Sequence, residues 1–74
     1  MVLDLIISKS VDGFSAEIPS IKECETWSKT EDDALNKSIE LLCYYLGIVD
    51  TKKIKIDKAR IESNRIIYKL IFHK

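Results

Sequence analysis

Thr30 to Gly47, TEDDALNKSIELLCYYLG, carries a start signal, an apolar face and a stop signal for one helix. Thr30 suits the N-cap, because its hydroxyl can accept a hydrogen bond from a free N–H of the first turn. Glu31, Asp32 and Asp33 place negative charge at the positive end of the helix dipole. Thr30 and Asp33 stand at capping-box spacing. Leu35, Ile39, Leu42 and Leu46 recur at helical intervals, with Ala34, Ser38, Leu41 and Tyr45 alongside, which makes one broad apolar face. Gly47 tolerates the positive φ that ends a helix. The pattern predicts a helix over residues 31–46, and the rest of the chain must supply a surface for its apolar side.

That surface reads as a sheet. Residues 2–8, VLDLIIS, form a first strand with Leu3, Leu5 and Ile7 on one side and Val2 and Ile6 on the other. Asp12-Gly13 is a hairpin turn signal. Phe14, Ala16 and Ile18 alternate with Ser15 and Glu17, as in a strand with one wet face, and Pro19 ends it. Residues 20–23 read as a short loop and 24–29 as a third strand. Arg65 to His73, RIIYKLIFH, is the strongest strand of the chain, after a turn at Ser63-Asn64. Residues 48–64 form a basic connector, in which Ile54, Ile56 and Ile61 support a short strand or a helical turn. The expectation is a single α+β domain over residues 1–74, in the order β-β-β-α-β. It has one antiparallel-rich sheet and a single helix packed on one face.

Composition narrows the function classes. A 74-residue chain with 46% hydrophobic residues is globular rather than disordered, but a core this small is marginal alone. The net charge of zero gives no whole-chain argument for nucleic-acid binding. The charge is divided, however. Residues 1–40 carry four lysines against nine carboxylates, net −5, and residues 41–74 carry eight Lys/Arg against three, net +5. Cys24 and Cys43 read as buried structural thiols rather than a disulfide framework or metal ligands. No basic leader precedes the first apolar run and no run is long enough for a bilayer, so a cytoplasmic protein without membrane contact is expected.

Catalytic signals are sparse. The single histidine, His73, lies next to the C-terminus and reads as a frayed surface residue. Asp4 reads as a wet-rim residue of the first strand rather than a metal-holding carboxylate. There is no glycine-rich phosphate loop, and no residue spacing for a metal. The expectation is a non-enzyme without cofactor.

In order and spacing, Asp12-Gly13-Phe14, Glu17-Ile18-Pro19, Ile21, Cys24, Thr30, Glu31 and Asp33-Ala34-Leu35 resemble the N-terminal domain of HicB-type antitoxins. The resemblance spans roughly residues 2–47. Lys22-Glu23 stands where that family usually has Pro-Gly, and Ser28-Lys29 where it has Gly-Asp. The resemblance implies a partial RNase H-like fold. It also implies neutralisation of a small basic mRNA-cleaving toxin by masking of its active site. The DNA-binding segment of full antitoxins has no counterpart here, so no DNA binding is expected from this chain alone.

Two surfaces follow as candidates. One helix covers one sheet face, yet the first and last strands are apolar on both. Val2, Ile6, Ile67 and Ile71 are therefore the candidate self-association residues of a homodimer. Glu17, Glu23 and Glu25 are the candidate acidic face for a basic toxin-like partner. The alternatives are a stand-alone structural or regulatory homodimer with no toxin, and a degenerate nucleic-acid-binding protein.

Overall fold

The computed structural model describes residues 1–73, and at Lys22, Glu23 and Thr51 the backbone alone. The elements run β1 (Val2–Lys9), β2 (Phe14–Ile18), β3 (Ile21–Ser28), α1 (Glu31–Leu46), a 3-10 turn (Thr51–Lys53), β4 (Lys55–Ile61) and β5 (Arg65–Ile71). The five strands form one sheet in the order β3-β2-β1-β5-β4, antiparallel throughout, with α1 packed on one face. The fold is thus α+β with a single helix, as the sequence predicts, plus the strand β4 from the basic connector.

The helix obeys its sequence signals. Thr30 accepts a hydrogen bond from the Asp33 N–H at 3.2 Å through its side chain. Gly47 sits at φ 71°, and its N–H reaches the Cys43 carbonyl. The buried stripe comprises Ala34, Ser38, Ile39, Leu42 and Cys43, so Tyr45 falls outside it, 46% exposed. Ser38 is fully buried without being orphaned, because its hydroxyl meets that of Thr26 on β3 at 3.2 Å.

Register decides which face each strand residue takes. Leu5 stands opposite Tyr68 and Ile7 opposite Ile66, while Ile7 also faces Ala16 across to β2. These residues share the helix side. Leu5, Ile7, Ile18, Leu42 and Leu70 are the large side chains buried to within 1% of fully. Each contributes roughly 1.5–3 kcal/mol by leaving water.

The third strand begins at Ile21 rather than Cys24. A bulge between Glu17 and Ile18 shifts the register, so that Ile18 pairs with Ile21 around a turn of only Pro19 and Ser20. The expected loop at 20–23 is therefore mostly strand. At the far edge, the helix packs over β1, β2 and β3 and leaves β4 uncovered, so every residue of β4 is exposed. The molecule is elongated, 35 × 20 × 20 Å. Its surface of 5029 Å² exceeds the roughly 4,700 Å² of a compact monomer of this mass. No helix among the described residues is long and apolar enough to cross a membrane.

Candidate interaction face

Among the described residues the sheet face away from the helix carries no second layer, and the strand register writes its surface out row by row. Glu25 pairs with Glu17, Glu17 with Ile6, Ile6 with Ile67, and Ile67 with Arg60. One row across the five strands therefore reads acid, acid, apolar, apolar, base. The neighbouring row runs Trp27, Ser15, Ser8, Arg65. On the other side Asp4 pairs with Lys69 and Lys69 with Asp57, and beyond them Val2 pairs with Ile71 and Ile71 with Lys55.

The four self-association candidates thus fall on this open face as two cross-strand pairs, Val2 with Ile71 and Ile6 with Ile67. Their exposure is unequal. Val2 is 57% exposed, Ile6 and Ile71 are half-buried, and Ile67 is only 7% exposed. The long side chains around Ile67 already shield it, so the apolar surplus of the open face is smaller than the sequence pattern suggests.

Glu17 and Glu25 are both exposed, and no described side chain pairs with either. Like charges directly opposite in a sheet destabilise it. With Ile18, Pro19 and Ile21 they line a hollow of ≈ 260 Å³ at the β2–β3 turn. The side chain of Glu23, the third acidic candidate, lies outside the described residues.

The basic half is built differently. Ile6, Ala59 and Ile67 with Asp4, Arg60, Arg65 and Lys69 line a groove of ≈ 390 Å³. Ala59 comes from a β4 bulge between Lys58 and Arg60. Glu62 in the β4–β5 turn holds both guanidinium groups, Arg60 at 3.4 Å and Arg65 at 3.3 Å. Lys69 pairs with Asp4, which places Asp4 on the exposed rim. This groove was not visible from sequence, because Arg60 belongs to the stretch with no clear period.

On the helix side, a cleft of ≈ 230 Å³ opens between the start of α1 and the β4–β5 hairpin, floored by Ile7, Phe14 and Ile66. Beside it the Tyr68 hydroxyl donates to the Glu31 carboxylate, and Lys58 lies 3.6 Å from the same carboxylate and 5.7 Å from the Tyr68 ring centre. Burial, then the hydrogen bond to Glu31, push the Tyr68 hydroxyl well above its ordinary range, so it stays a donor. This cluster ties the helix start to β5 and β4, where the helix itself does not reach.

No protein-family model, curated protein or solved structure matches the chain. Function therefore rests on chemistry. Cys24 and Cys43 are buried and form no disulfide. Burial and the nearby Asp50 raise the Cys43 pKa, which keeps it a thiol rather than a nucleophilic thiolate. Among the described residues no three His, Cys, Asp or Glu side chains converge to hold a metal. His73 is exposed. What the molecule presents is a charge-divided sheet face.

Proposed function

We propose that this chain is a protein-interaction module of the HicB antitoxin kind, which masks a small basic RNA-cleaving protein. The observation that carries the reading is the Glu17–Glu25 cross-strand pair, two exposed carboxylates with no described counter-charge. A cation from a partner relieves their repulsion, and a lysine or arginine needed for RNA cleavage is the side chain such a seat would occupy. The adjacent hollow gives that side chain room. The α+β sheet with one helix agrees with the fold that the sequence resemblance implies.

The test is co-expression with a small basic protein encoded beside this chain. The reading expects growth to be rescued by wild type and rescue to be lost with Glu17→Lys/Glu25→Lys. Full rescue by the double variant, or no toxic neighbour at all, would overturn it. A stand-alone homodimer is the second reading, and the exposed Val2 with the half-buried Ile6 and Ile71 on the open face favours it.

A further inference from the structure

We infer that the open sheet face closes on a second copy of this chain, in one orientation set by its charge division. The inference does not depend on a toxin partner. Its basis is the row Glu25, Glu17, Ile6, Ile67, Arg60. Consider a two-fold axis lying along β1 above the open face. It exchanges the acidic and basic edges between the copies. Glu25 then lies over Arg60 of the second copy and Glu17 over Ile67 with Arg65 beside it, while Ile6 and the Lys69-paired Asp4, both on β1, meet their own counterparts on the axis. Arg65, one row away on β5, flanks the same carboxylates. Each contact away from the axis occurs twice, as an isologous interface requires. A two-fold axis running across the strands would instead lay acid on acid and base on base. Electrostatics therefore selects the first arrangement.

The groove supplies the second element. Its apolar floor, Ile6 and Ile67, is flanked by Arg60, Arg65 and Lys69, so a carboxylate entering from the other copy finds guanidinium groups that Glu62 already holds in place. Five strands about 4.8 Å apart and about 23 Å long present roughly 550 Å² per copy, near the lower limit of specific interfaces. The dimer is therefore weak, concentration-dependent and sensitive to salt. It also occupies Glu17 and Glu25, so a basic partner and the second copy exclude each other.

The experiment is a charge exchange followed by light scattering and sedimentation. One variant carries Glu17→Lys and Glu25→Lys, the other Arg60→Glu and Arg65→Glu. All four residues are exposed, and circular dichroism checks that each variant folds. The mass of the wild type is expected to rise with concentration from the 8.5 kDa of the monomer toward twice that value. Each variant alone should self-associate roughly a hundredfold more weakly, because like charges then face each other. An equimolar mixture of the two should recover the dimer, since both sets of contacts become attractive again. A wild type that stays monomeric in concentrated, low-salt solution overturns the inference. So do variants that each dimerise like wild type, or a mixture of folded variants that stays monomeric. Failure of the wild type to mask a toxic neighbour while its own dimer forms as described would defeat the proposed function and leave this inference standing.

Discussion

Single residues in this chain are held by close approach as much as by local propensity. Gly13 follows the β1 strand in a hairpin connection, and its carbonyl takes the Ser10 N–H at 2.8 Å. A Cβ at that position would lie 2.5 Å from the Ser28 carbonyl oxygen and 2.8 Å from the Trp27 ring. The half-exposed indole can turn aside, but the β3 backbone cannot. Gly13→Ala should therefore destabilise the domain by roughly 1–3 kcal/mol, the usual cost of forcing atoms into packed space. A denaturant midpoint equal to wild type would show that the two strands can separate freely. At the helix start, Thr30→Ala should cost about 1 kcal/mol through loss of the cap to Asp33. Leu42→Ala, at a fully buried position, should cost more, roughly 2–5 kcal/mol. Equal and negligible losses in the two variants would contradict the helix placement.

At the scale of elements, legibility followed burial. The helix at 31–46 matches its expected limits, because cap, periodic face and terminal glycine all report the same element. The strands β1, β2 and β5 were legible because each has one buried side, carrying Leu5 and Ile7, Ala16 and Ile18, and Tyr68 and Leu70. β4 was not, and the reason is physical. The helix stops short of it, neither of its faces is buried, and so no alternation is imposed on Lys55, Asp57, Lys58 or Arg60. Its charges instead suit an edge strand that must not pair further. The start of β3 was hidden by Lys22 and Glu23, a charged pair that reads as loop. The helix is linked to the uncovered half of the sheet through Tyr68, Glu31 and Lys58. Tyr68 has its pKa raised from the ordinary 10.0 by burial and by Glu31. The folded state therefore keeps a proton that the unfolded chain releases. The stability this provides is complete below about pH 10 and declines as pH rises beyond it. Tyr68→Phe should lower stability at neutral pH, by roughly 1–3 kcal/mol, and should make the alkaline decline shallower. Identical alkaline profiles in chemical denaturation would show that Tyr68 does not carry that decline.

For the whole molecule, the division of charge along the chain becomes a division across space. The acidic first half of the sequence supplies β2 and β3 on one side of β1, and the basic second half supplies β5 and β4 on the other. The sequence showed the two charge blocks and the apolar residues between them. It did not show that the blocks lie side by side on one open face, because that depends on β5 inserting beside β1 rather than beside β3. Once the strand order is known, Glu17, Glu25, Ile6, Ile67 and Arg60 form a single surface. We propose that this face, not the outer face of the helix, is where the protein meets other molecules. Amide spectra recorded from dilute to concentrated protein at low salt test it most directly. Shifts are expected only at open-face residues of the five strands, Arg60 of β4 included, with Asn36, Lys37, Glu40 and Tyr44 on the exposed side of α1 unchanged. Shifts along those helix residues, with Glu17, Ile6 and Ile67 silent, would contradict it.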